Sequence, residues 1–208
     1  MPVRHLTVDV PDGTRLEAEV DLPDDARALA VLTHPHPLYG GSMDAGLIDE
    51  LFGLLPRKNV GAFRFNFRGV GGSTGTHDEG RGERLDAAAA LRAAAAEVPA
   101  GTPVFFCGWS FGADMSLSVG EPSHAGWVCV APPLRLVPVD EMAAPADPRR
   151  KLLLVPEHDQ FRPPASASEA TSGWTSTTVT TIAGADHFVW GHAGEIAEQV
   201  VAFASELG

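Results

Sequence analysis

Apolar and polar residues alternate along Leu6 to Val10 and again along Arg15 to Leu22, with the turn sequence Pro11-Asp12-Gly13 between them. That pattern predicts an antiparallel β-hairpin. Beyond it the period changes. Ala28 to Thr33 is a continuous apolar run of the buried-strand kind, Ile48 to Leu55 spaces its apolar residues as a helix does, and Gly61 to Phe67 is strand-like again. The alternation continues with a helix over about Glu83 to Val98, a strand from Pro103 to Cys107, a short helix ending near Gly120, and a strand over Ala125 to Val130. Lys151 to Pro156, a helix near Ala165 to Ser172, the strand Thr177 to Ile182 and a terminal helix from Gly194 to Leu207 complete it.

Strands alternating with helices after an initial hairpin imply an α/β fold, a mostly parallel sheet with helices on both faces. In such sheets ligands bind beyond the carboxyl ends of the strands. The most irregular segment is Pro132 to Arg150, which carries Pro133, Pro138, Pro145 and Pro148. It is too short for a lid domain, so at most a small cap and an open or shallow pocket are expected. At 208 residues, with no internal repeat or long linker, the chain is expected to form one domain over residues 1–208.

The chain carries 15 basic and 27 acidic side chains, a formal charge of −12. A surface of that sign repels phosphate backbones and anionic headgroups, which argues against nucleic acid and membrane partners. No signal peptide can be read from Met1 to Asp9, so a cytoplasmic protein is expected. Ala87 to Ala96, the most apolar stretch, is too short to span a bilayer. Cys107 and Cys129 sit inside strand-like runs and read as buried structural thiols.

Gly108-Trp109-Ser110-Phe111-Gly112 joins a predicted strand to a predicted helix, the context of a nucleophile elbow. A serine hydroxyl needs an imidazole to take its proton and a carboxylate to orient that imidazole. Candidates follow two later strands: Glu157-His158-Asp159, and Asp186-His187 with His192 nearby. Asp159 stands further past its strand end than Glu157 and can bend towards a histidine, whereas Asp186, adjacent to His187, cannot easily reach its outer edge. His187 directly follows the last strand. The expected line is therefore Ser110, His187, Asp159.

His34-Pro35-His36-Pro37-Leu38-Tyr39-Gly40-Gly41 follows a buried strand at the same sheet edge. Such a loop supplies one backbone N–H to an oxyanion hole, the other coming from Phe111. Proline cannot donate, and Leu38 is the expected donor, with His36 and Tyr39 as competitors. The spacing of His34 and His36 also fits a metal site completed by Asp159 or His187, but a structural role in the loop accounts for both histidines, and neither metal nor cofactor is expected. Phe65 to Ser73 is glycine-rich but lacks the third glycine of a dinucleotide fingerprint, so it reads as a tight loop. Asp78, Glu79, Arg81, Glu83 and Asp86 read as a solvated, acidic helix start.

Taken together, the His34 loop, the Arg64 to Gly71 run, the elbow, Asp159 and Asp186-His187-Phe188 resemble the α/β-hydrolase superfamily, and within it the small single-domain, dienelactone-hydrolase-like branch. The resemblance covers nearly all of the chain after the hairpin. It implies an eight-stranded sheet with an antiparallel second strand, a nucleophile at Ser110, an acid at Asp159 and a base at His187. Many members carry His-Gly where this chain has His34-Pro35, and the dienelactone hydrolases proper use cysteine where this chain has Ser110. The expected activity is cleavage of small carboxylic esters without a cofactor. A thioesterase or peptidase using the same groups, and a ligand-binding protein without turnover, are the alternatives, and the oligomeric state stays open.

Overall fold

The computed structural model describes residues 2–207. Its strands are β1 (Arg4–Asp9), β2 (Arg15–Asp21), β3 (Leu29–Thr33), β4 (Gly61–Phe65), β5 (Val104–Trp109), β6 (Gly126–Val130), β7 (Arg150–Pro156) and β8 (Thr177–Ile182). Its helices are α1 (Gly46–Leu54), α2 (Arg81–Ala96), α3 (Phe111–Leu117), α4 (Pro164–Ala170) and α5 (Ala193–Ser205). The strands form one sheet in the order β1-β2-β4-β3-β5-β6-β7-β8. β2 pairs antiparallel with both of its neighbours, and every pairing from β4 through β8 is parallel. The mostly parallel sheet is what the alternation implies, and its eight strands with an antiparallel second strand are what the resemblance implies.

The central strands read as unbroken apolar runs because both faces of the sheet are covered. On one face the alanine-rich stripe of α2, together with α3 and Ala167 of α4, packs over Phe63, Phe65 and Phe106. On the other, Leu47, Ile48 and Leu51 of α1 and Ile196, Val200 and Phe203 of α5 cover Leu32, Phe105 and Val128. Successive residues of one strand therefore enter different cores, as a period of two requires. The two buried cysteines follow this rule: Cys107 faces the α1 and α5 side and Cys129 the other.

Two sequence expectations are corrected. β4 ends at Phe65 rather than Phe67, because the Phe67 N–H leaves the ladder and donates to His34 Nε2 at 3.0 Å. The acidic start of α2 is only partly solvated. Glu83 and Asp86 have no exposed surface. Asp86 receives the Arg68 guanidinium through Nε and Nη2, and Glu83 accepts the N–H groups of Asp78 and Gly80, both at 2.9 Å.

The segment after β6 forms turns and a short 3-10 helix at Val139–Glu141, and among the described residues no cap domain covers the strand ends. Among the described residues, no helix is long and apolar enough to cross a membrane.

Candidate active site

Four connections leave the carboxyl ends of parallel strands and meet above the sheet. β5 runs directly into α3, and Ser110 stands at the bend with φ 54° and ψ −116°. A residue with a Cβ is strained there, and the strain holds the side chain out of the strand-to-helix path. The flanking glycines are required by contact. A Cβ on Gly108 would lie 2.6 Å from Thr33 Oγ1 and 2.7 Å from the Ala113 backbone. One on Gly112 would lie 2.3 Å from the Thr33 carbonyl oxygen.

Ser110 Oγ is 2.8 Å from His187 Nε2, and His187 Nδ1 is 2.9 Å from Asp159 Oδ2. An ionised carboxylate only accepts, so the imidazole carries its proton on Nδ1 and offers Nε2 to the serine hydroxyl. All three side chains are nearly closed to solvent. Asp159 is fixed in turn by the N–H groups of Phe161 and Arg162, which donate to Oδ1 at 2.7 and 3.1 Å. The competing groups are engaged elsewhere. Glu157 accepts the Gly184 N–H, Asp186 the Phe188 N–H, and His192 faces Glu195.

Sequence reasoning did not single out two supports of this line. Trp109 Nε1 donates to the His187 carbonyl at 3.1 Å, and the Phe161 ring meets the imidazole edge-on at 4.5 Å. For Trp109 a signal existed, since it adjoins the serine. For Phe161 none did.

The loop after β3 departs from expectation. Phe111 begins α3, so its N–H is among those left free at a helix start. Leu38, expected as the second donor, is not placed for that role. Its N–H donates to His36 Nδ1 at 3.2 Å, and its side chain lies outside the cleft. Tyr39 and Gly41 donate to the His36 carbonyl at 3.0 and 3.1 Å. The loop thus curls around His36, whose own N–H has no partner among the described residues and which lines the cleft beside Ser110.

The metal pairing of the two histidines does not form. Both His34 nitrogens are used, Nδ1 by the Pro35 carbonyl at 2.7 Å and Nε2 by the Phe67 N–H. Burial pushes the His34 imidazole down to about 4, so it stays neutral in this structural role.

Ser110 and His187 open into a cleft of about 850 Å³ walled by Trp109, Arg135, Phe161, Phe188 and Trp190. A second hollow, of about 340 Å³, lies on the hairpin among His5, Arg15 and Glu17, away from the strand ends.

Sheet order, strained serine and strand-end loops together define an α/β hydrolase. No family model matches the chain. Its sequence is 36% identical over 111 residues to an uncharacterized protein of Rickettsia prowazekii. That match takes in 52% of this chain and 47% of the relative, so it spans about half the length of the curated protein. Among solved structures, an α/β serine hydrolase homologue from Coxiella burnetii is 28% identical, with 96% of each chain covered and a TM-score of 0.83. A serine hydrolase without a lid from Xanthomonas campestris is 25% identical, covering 99% of this chain and 96% of its own, with a TM-score of 0.84. The chain has the α/β-hydrolase fold and, over nearly its whole length, is similar to small serine hydrolases of that fold.

Proposed function

We propose that this protein is a serine hydrolase that cleaves small carboxylic esters through an acyl-enzyme. The observation that carries this reading is the unbroken hydrogen-bonded line from Ser110 Oγ through His187 to Asp159. Ser110 attacks the acyl carbon while its proton passes to His187 Nε2. Asp159 holds the imidazole in the receptive tautomer and stabilises the imidazolium. The N–H groups of Phe111 and His36 receive the oxyanion of the tetrahedral intermediate. The intermediate collapses as His187 protonates the departing alcohol. Water, deprotonated by the same nitrogen, then attacks the acyl-enzyme and releases the acid and the free serine.

The cleft volume of about 850 Å³ falls within the range of small-molecule sites, and its aromatic walls suit acyl and alkoxy groups with little polarity. A small-molecule ester is thus the proposed partner. A fluorophosphonate probe, with adduct mapping by mass spectrometry, tests the assignment. The expected result is one adduct, on Ser110, together with turnover of p-nitrophenyl acetate. Labelling at another residue, or a Ser110→Ala protein that still turns over the ester, would overturn it.

A further inference from the structure

A second histidine–carboxylate pair stands behind the loop that carries His36. His77 Nδ1 lies 2.7 Å from Glu83 Oε1, close enough for an ion pair though out of line for a hydrogen bond. Glu83 has no solvent exposure, and the N–H groups of Asp78 and Gly80 pin its two oxygens at the start of α2. The His77 ring packs 4.9 Å from the His36 ring and 5.8 Å from the Phe111 ring, and His36 and Phe111 are themselves 4.9 Å apart. Three rings thus form a closed triangle. Two of them belong to His36 and Phe111, the proposed oxyanion donors.

The sheet cannot set the spacing of those two donors. β3 and β5 are in register only as far as Thr33 and Gly108, and beyond that pair one chain enters the His34 loop while the other turns into α3. Two amides on diverging elements must still converge on one oxygen. A misplacement of about 1 Å in such a constellation costs on the order of a hundredfold in rate.

We propose that His77, anchored by Glu83, is a positioning residue that fixes the separation of the two oxyanion donors, His36 and Phe111. The inference rests on the serine-hydrolase reading. A ring that only filled space could slide or rotate, whereas an imidazole whose Nδ1 lies 2.7 Å from a buried, amide-pinned carboxylate is confined by that contact. His36 then keeps its neutral Nδ1 on the Leu38 N–H, which leaves its own N–H free.

The test compares wild type with His77→Ala, His77→Gln and Glu83→Gln. The readouts are kcat and KM for p-nitrophenyl acetate, referred to titrated active sites, and the inhibition constant of phenylboronic acid, whose serine adduct is tetrahedral. The expected result is a kcat lowered by about ten- to a hundredfold in His77→Ala with KM changed less than about twofold. Boronate affinity should fall in parallel, and His77→Gln, which keeps a polar group facing Glu83, should recover part of both. A role in folding alone would lower yield or melting temperature without moving kcat per active site or boronate affinity. Folded variants with both constants within about twofold of wild type would therefore overturn the proposal. If His77→Ala fails to fold, the two glutamine variants decide by the same criteria. A wild type inert to ester and boronate alike would remove the hydrolase site itself, whereas an active wild type with unaffected variants removes only this inference.

Discussion

Asp114 Oδ1 accepts the Leu134 N–H at 3.0 Å, so the helix that begins beside Ser110 holds the segment whose Pro133, Arg135 and Leu136 line the cleft. Oδ2 takes the N–H groups of Arg135 and Leu136 at the same distance. Burial pushes this carboxyl up to about 6 despite those three donors. The folded state therefore holds the proton more tightly than the unfolded chain, and the stability tied to this group falls as pH rises from the ordinary carboxylate value to about 6. Asp114→Asn removes the titration. The stability advantage of wild type over Asp114→Asn should be larger at about pH 4.5 than at about pH 7.5, by about 2 kcal/mol. Urea unfolding at the two pH values checks it, and a difference that stays constant or reverses counts against it.

On the proposed mechanism, removing Ser110 or His187 should silence ester turnover without unfolding the protein. Ser110→Ala and His187→Ala are expected to lower kcat for p-nitrophenyl acetate by about 10⁴ to 10⁶, and Asp159→Asn by about 10⁴. Circular dichroism should match wild type in all three. Residual activity within about tenfold of wild type in any of them would remove that side chain from the line.

Two glycines should respond in opposite directions to the same substitution. Gly112→Ala drives a methyl group into the Thr33 and His34 carbonyls, backbone atoms that cannot move away, and should cost about 3 kcal/mol or more along with the activity. Gly53, exposed on α1 with open space at its Cβ position, should gain about 0.5 to 1 kcal/mol on conversion to alanine. Thermal melts of the pair would show it.

Charge removal at the start of α2 should depend on burial. Asp86→Ala leaves the Arg68 guanidinium without its main partner in a closed site and should cost about 3 to 5 kcal/mol. Asp78→Ala breaks an exposed pair with Arg81 and should lower the urea midpoint only slightly. Equal effects would mean that the Arg68 contact contributes nothing specific.

That contrast also marks a limit of reading the chain in one dimension. Asp78, Glu79, Glu83 and Asp86 look alike as a charged run, yet Asp86 meets an arginine 18 positions earlier and Glu83 turns back on its own helix start. The loop after β3 went the same way. Proline positions excluded two amides, but which of the remaining N–H groups the loop uses internally depended on its curling around the His36 ring and carbonyl.

Sequence periodicity alone determined the hairpin, the order of strands and helices and their assignment to a two-sided parallel sheet, because buried strands and amphipathic helices have different apolar repeats. It also placed Ser110, Asp159 and His187 at strand ends, where side chains can leave the core. Only the tertiary structure decided that these three side chains meet. Ser110 and His187 are 77 residues apart, and a contact at that separation exists only after β5, β6, β7 and β8 have been laid side by side. Local sequence dictates what each segment becomes, but the distances between loops are set by the packing of the whole sheet.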